Sequence, residues 1–165
     1  MSKTDDDIST NIHSDASQSI DLFVGKQIGK YEVLARVAKG GTATVYQARD
    51  KILNRDVAIK ILHEHLEQKN EVVERFKNEA QVVASLRHPN ILSIYDFFTD
   101  SGRTILVAEF MPGSTLSALI KSLKKVPEQY VLMLGLEMLN GLKAAHEKGI
   151  THRDIKPANI SVSYT

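Results

Sequence analysis

Three short stretches of this chain carry side chains or backbone suited to holding a flat, phosphorylated ligand. The run Val57-Ala-Ile-Lys-Ile-Leu62 is rich in β-branched residues and reads as a strand. Alternate strand residues share a face, so Val57, Ile59 and Ile61 point one way while Ala58 and Lys60 point the other. The apolar trio suits a core, and an ammonium beside a small residue can project into a cleft with room for a flat ligand. The competing reading is a solvated lysine on an ordinary strand. Glu79 falls within an apolar helical stripe, where a carboxylate is costly to bury unless paired, which predicts a cationic partner with Lys60 the nearest candidate. If the stripe is wide, Glu79 instead sits at its edge in water. The small-residue segment Val37-Ala-Lys-Gly-Gly-Thr-Ala-Thr-Val45 is of the kind that lets backbone amides approach phosphates, although glycine turns between strands also serve simply as hairpins.

These groups need elements to hold them. Tyr31–Val37 alternates, breaks at Lys39-Gly40-Gly41 and resumes over Thr44–Arg49, which predicts two strands around a glycine turn. Asn54 and Asp56 mark a turn before the third strand. From Lys69 to Leu86 the period becomes helical, with Val72, Phe76, Val83 and Leu86 on one stripe. Pro89 ends that helix, and Ile91–Phe98 and Arg103–Phe110 follow as strands around Asp100-Ser-Gly102. The expectation is five strands and one helix, then helices at Leu116–Leu123 and Glu128–Glu147, the latter preceded by Pro127. Apolar residues surround nearly the whole axis of the last helix, as in a helix enclosed by protein.

Composition narrows the class. In 165 residues, 42% hydrophobic and 25% charged is the balance of a globular domain, not of a disordered or membrane-embedded chain. No stretch approaches the roughly 20 apolar residues of a membrane helix. A formal charge of +1 gives no nucleic-acid footprint. With no cysteine there is neither a disulfide framework nor a thiolate metal site, which fits a reducing compartment, and a cytoplasmic location is expected. Residues 1–24, net −4 and rich in Ser, Thr, Asp and Asn, read as a disordered acidic leader rather than a signal peptide.

The most specific string is His152-Arg-Asp-Ile-Lys-Pro-Ala-Asn-Ile160. It resembles the catalytic loop of protein kinases, and Lys156 two residues after Asp154 gives the serine/threonine form. Val57-Ala-Ile-Lys60 is similar to the third-strand motif of that family, Glu79 matches the helix glutamate that pairs with its lysine, and Val107-Ala-Glu-Phe-Met111 looks like the hinge that bonds adenine through its backbone. The resemblance covers about Val24 to Ile160. It implies an α+β kinase fold: a five-stranded antiparallel N-lobe sheet with one regulatory helix over 25–111, then the first helices of a helical C-lobe over 112–165. It also implies a serine/threonine protein kinase that uses ATP and Mg2+ on a protein substrate. By that resemblance Asp154 accepts the substrate hydroxyl proton, Lys156 neutralises the transferring phosphate and Asn159 holds magnesium. Val37, Gly40 and Val45 in the loop, Ala58 and Lys60 in the strand, Glu79 in the helix, and Glu109 and Met111 in the hinge surround the nucleotide. Ala108 falls at the gatekeeper position, where so small a side chain leaves a deeper pocket behind adenine.

Two departures qualify the expectation. Ala38 and Ala43 stand where the glycine-rich loop has glycines, which should disfavour positive φ and stiffen the loop. No Asp-Phe-Gly or Ala-Pro-Glu string occurs, and the sequence ends six residues after Asn159, so a truncated, frameshifted or partial kinase domain is expected. The alternative is a non-catalytic fragment that binds nucleotide or pairs with another kinase chain. A dinucleotide-binding oxidoreductase is excluded because Gly40-Gly41 lies between hairpin strands rather than ahead of a helix.

Overall fold

A computed structural model describes residues 21–123 and 126–163; residues 1–20 of the acidic leader lie outside the described residues. Six antiparallel strands form one sheet: β1 (Gln27–Ile28), β2 (Tyr31–Lys39), β3 (Ala43–Asp50), β4 (Arg55–Leu62), β5 (Ile94–Asp100) and β6 (Arg103–Glu109), in the order β1-β2-β3-β4-β6-β5. The sixth strand, absent from the sequence expectation, is β1. Two residues are too few to show a period, and β1 joins β2 through a turn in which Gly29 takes φ +54°. Ser101 and Gly102, both at positive φ, close the β5–β6 hairpin, a conformation native to two-residue turns.

Alternation sorts the strands onto two faces. On one, Tyr31, Val33, Tyr46, Ala48, Val57, Ile59, Ile61, Ile105 and Val107 form a core sealed by Phe23 and Phe98. On the other, Ala43 and Leu62 meet Leu66 of α1 (Glu64–Glu67) and Phe76 of α2 (Asn70–Ala84), with Val72, Val73, Phe97 and Leu106 around them. The four-residue α1, unsignalled in the sequence, is fixed because Glu67 accepts from both the backbone N–H and the hydroxyl of Thr104 at 2.7 Å. The helices α3 (Leu116–Leu123) and α4 (Glu128–His146) match their expected spans within one residue. In α4 only Gly141 and Ala145 are buried, while Leu132, Leu136 and Leu139 are each more than 60% exposed, so the apolar girdle read from sequence stands uncovered among the described residues. None of the described helices is long and apolar enough to cross a membrane.

Asp50 holds the β3–β4 turn together. Its side chain is fully buried, and Oδ1 accepts the backbone N–H groups of Ile52 and Leu53, each at 3.0 Å, while Lys30 Nζ stands 3.6 Å from Oδ2. Burial pushes this carboxyl up, but the Leu53 and Ile52 amides and the Lys30 and Arg55 charges outweigh it and hold the group below the usual carboxylate range. A depressed folded value means that Asp50 stabilises the fold above the unfolded-state value near pH 4, and that this contribution is lost as pH falls through the folded one. Asp50→Asn should therefore lower the urea midpoint at pH 7, and the gap between parent and variant should shrink in unfolding curves taken from pH 5 down to pH 3. A gap that does not change with pH would refute the charge-based account.

Candidate active site

The strand register gathers most of the expected nucleotide residues on one sheet face. Val45 pairs with Lys60 between β3 and β4, while Ala58 pairs with Ala108 and Lys60 with Leu106 between β4 and β6. Val57, Ile59 and Ile61 are buried on the opposite face, and Ala58 and Lys60 are half-buried, as strand alternation requires. The small side chains of Ala58 and Ala108 are thus opposed on this face, next to the Lys60–Leu106 pair.

The expected Lys60–Glu79 pair is not formed. Glu79 is exposed, whereas Lys60 Nζ lies 5.0 Å from the centroid of the Phe76 ring, within cation–π range. The reason lies in the helical stripe. On α2 the buried residues are Phe76 and Ala80, four apart, with Val72 and Val73 behind them, so Glu79 falls on the flank of that stripe and stays in water.

In the turn between β2 and β3 the Gly40 N–H donates to the Ala43 carbonyl at 2.9 Å. The expected backbone penalty of Ala38 and Ala43 does not arise, because both lie in strands and neither has positive φ. Ala43 is 3% exposed, so its methyl is core packing beneath α2. At the hinge, the Glu109 N–H donates to the Ser93 carbonyl at 2.9 Å, and the Ser93 N–H donates to Glu109 Oε2 at 3.3 Å. Met111, half-buried, follows the end of β6.

The loop between α4 and β8 (Ser161–Val162) brings the three expected catalytic residues together. Lys156 Nζ lies 2.8 Å from Asp154 Oδ2, and the Asn159 amide nitrogen donates to both Oδ2 and the backbone oxygen of Asp154, each at 2.9 Å. The Lys156 ammonium and then the Asn159 amide hold the Asp154 carboxyl below its usual range, so at neutral pH it is an anion able to accept a proton. All three side chains are exposed, open to a ligand. His152 supports the backbone, its Nδ1 accepting the Asp154 N–H at 3.3 Å, and Arg153 takes φ +62°, a left-handed conformation uncommon for a non-glycine residue.

Two long-range contacts fix this loop. First, β7 (Ser114–Thr115) pairs with β8, Ser114 opposite Val162, and the Leu116 N–H donates to the Ile160 carbonyl at 2.8 Å. The end of the hinge and the end of the catalytic loop are thus stapled into one two-stranded sheet. Second, Lys148, just past α4, donates to the Ser85 carbonyl after α2 at 2.6 Å, and Gly141 of α4 packs directly against Asn90.

The donor set also suits a nucleotide-bound magnesium. Both Asn159 bonds to Asp154 use the amide nitrogen, leaving its oxygen as an acceptor. Among the described residues no three His, Cys, Asp or Glu side chains converge into a self-sufficient metal cage. Magnesium typically takes one or two protein oxygens together with substrate phosphates and water, and the Asn159 amide oxygen beside the Asp154 carboxylate fits such a protein share.

Comparison with known proteins agrees with this geometry. Residues 31–165 match the protein kinase domain. The chain is 40% identical over 144 residues to the serine/threonine-protein kinase PrkC of Bacillus subtilis, covering 87% of this chain and 22% of that protein. It is 37% identical over 134 residues to the serine/threonine-protein kinase PknL of Mycobacterium tuberculosis, covering 81% of this chain and 34% of that protein. The sheet, the lysine strand and the loop after α4 therefore belong to a kinase fold, and the chain is a member of the protein kinase family. It spans about a fifth of the length of the first curated relatives it matches.

Proposed function

We propose that this chain supplies the ATP-binding and catalytic-loop part of a serine/threonine protein kinase acting on hydroxyl side chains of a protein substrate in the cytoplasm. The observation that carries the reading is the Asp154–Lys156–Asn159 cluster, in which a carboxylate kept ionised accepts from a neighbouring ammonium and from an amide nitrogen. Asp154 accepts the proton of the attacking hydroxyl. Lys156 balances charge on the phosphoryl group, and Lys60 binds the α- and β-phosphates from the sheet. Asn159 would hold the magnesium ion, which supplies electrophilic charge to the phosphates when bound. Val37, Gly40 and Val45 cover the nucleotide from above, with Ala58 behind it and the backbone of Glu109–Met111 at its edge. Because the Glu109 N–H is taken by Ser93, adenine recognition falls to the other backbone groups of this segment. The division into a sheet lobe over 25–111 and a helical part over 112–165 is supported by β6 ending at Glu109 and α3 beginning at Leu116.

One observation favours a second reading, a chain that binds nucleotide without transferring phosphate: Lys60 rests on Phe76 and not on Glu79. Incubation with γ-labelled ATP, magnesium and a basic protein mixture separates the two. Incorporation into serine or threonine that falls by about 10²–10⁴ in Asp154→Asn, the range for a positioned acid–base group, is the expected result. Equal labelling in parent and variant would overturn the assignment of Asp154, and nucleotide binding without labelling would select the second reading.

A further inference from the structure

Residues 21–24, read from sequence as the tail of the leader, are held on the sheet. Asp21, 15% exposed at its side chain, accepts the Tyr46 hydroxyl at Oδ1 (3.0 Å) and the Phe23 N–H at the same oxygen (3.2 Å), while Oδ2 takes the Arg36 guanidinium at 3.2 Å. The Phe23 ring meets Tyr46 edge-on at 5.7 Å, and the Gly25 N–H donates to the Val33 carbonyl at 2.9 Å. One carboxylate thus bridges two strands, because Arg36 of β2 and Tyr46 of β3 are direct register partners.

The place of that bridge matters. Immediately beyond it, between Arg36 and Ala38, the β2–β3 register shifts through a bulge, and the next paired residues, Ala38 and Val45, begin the hairpin tip that carries the glycine turn. A bulge breaks the ladder and is a natural bending point. Val37 and Val45, two of the three residues proposed to cover the nucleotide, are the sequence neighbours of the two that Asp21 holds.

We infer that residues 21–24 form a strap in which Asp21 is a positioning residue, clamping the base of the glycine-loop hairpin and so setting the affinity of the loop for nucleotide. Its consequence for affinity rests on the nucleotide-binding reading above; the mechanical clamp does not. The Tyr46 hydroxyl, pushed up to about 12 by burial and by its bond to Asp21, remains a donor across the working pH range.

Hydrogen–deuterium exchange of the whole chain, combined with titration of the fluorescent analogue mant-ATP in magnesium, tests the clamp in Asp21→Ala and Asp21→Glu. In Asp21→Ala, exchange in residues 37–45 should rise about tenfold while β4 and β6 keep parental rates, and mant-ATP affinity should fall about three- to tenfold. Asp21→Glu, which keeps the charge and both oxygens, should recover most of each effect. Unchanged exchange in 37–45, or an equal rise in β4 and β6, would overturn the clamp, and faster hairpin exchange with unaltered affinity in a parent that binds mant-ATP would overturn the positioning role. A parent that fails to bind mant-ATP, yet whose hairpin loosens in Asp21→Ala, would support the clamp and contradict the nucleotide-binding reading instead.

Discussion

Lys60→Met should weaken binding of Mg-ATP by roughly 30-fold, the equivalent of losing about 2 kcal/mol of charge-assisted hydrogen bonding. The size follows from where the lysine sits. Its strand neighbours Ile59 and Ile61 are buried in the core, so the backbone at this position is fixed and the lysine side chain projects from the opposite face. Methionine keeps the length and apolar stem and removes the charge. The fold should survive because among the described residues Lys60 has no carboxylate partner to orphan: Glu79 is in solvent, and the Lys60 ammonium lies over the Phe76 ring, against which a thioether packs favourably. Isothermal titration with matched unfolding curves reads both quantities. Parental affinity in the variant would show that the ammonium does not face the nucleotide.

The second large effect is expected at Gly113. Its φ of +136° lies in a region essentially closed to other residues, and a Cβ there would stand 2.2 Å from the Val162 carbonyl oxygen. That oxygen belongs to β8, so Gly113→Ala cannot be accommodated without opening the β7–β8 pair, the staple between the hinge and the catalytic loop. A cost of about 3 kcal/mol or more is expected, roughly a 6–12 °C fall in Tm for a chain of this size. Gly102→Ala is the control: Gly102 also has positive φ, at +74°, but a Cβ there meets nothing within 4 Å. If the two variants lost equal stability, backbone conformation alone would account for both, and the close approach to Val162 would contribute nothing.

Long periodic segments and contiguous motifs were legible in the sequence. The alternation of Val57, Ile59 and Ile61 located the core face and, by exclusion, put Ala58 and Lys60 on the opposite one, as burial shows. The clustering of Asp154, Lys156 and Asn159 was visible because all three lie within one loop. What sequence could not show is the product of long-range contact. Glu79 lies within the apolar run, yet whether it meets Lys60 depends on the rotation of α2, and that rotation is set by Phe76 and Ala80 packing against the sheet. The lobe division after residue 111 said nothing of Gly113, where the demand for glycine comes from Val162, 49 residues later. Asp21 looked like one more acid in a solvated leader, because its partners Arg36 and Tyr46 come together only once β2 and β3 pair.

The central claim is that this fold carries a pocket for Mg-ATP built on Lys60, and thermal unfolding with and without Mg-ATP tests it most directly. A ligand that binds only the folded chain raises its midpoint, by about 2.7 kcal/mol at a hundredfold excess over Kd, or roughly 5–10 °C here. The predicted result is a cooperative transition that rises with Mg-ATP in the parent and barely moves in Lys60→Met. A transition indifferent to Mg-ATP in both proteins, or shifted equally in both, would contradict the account.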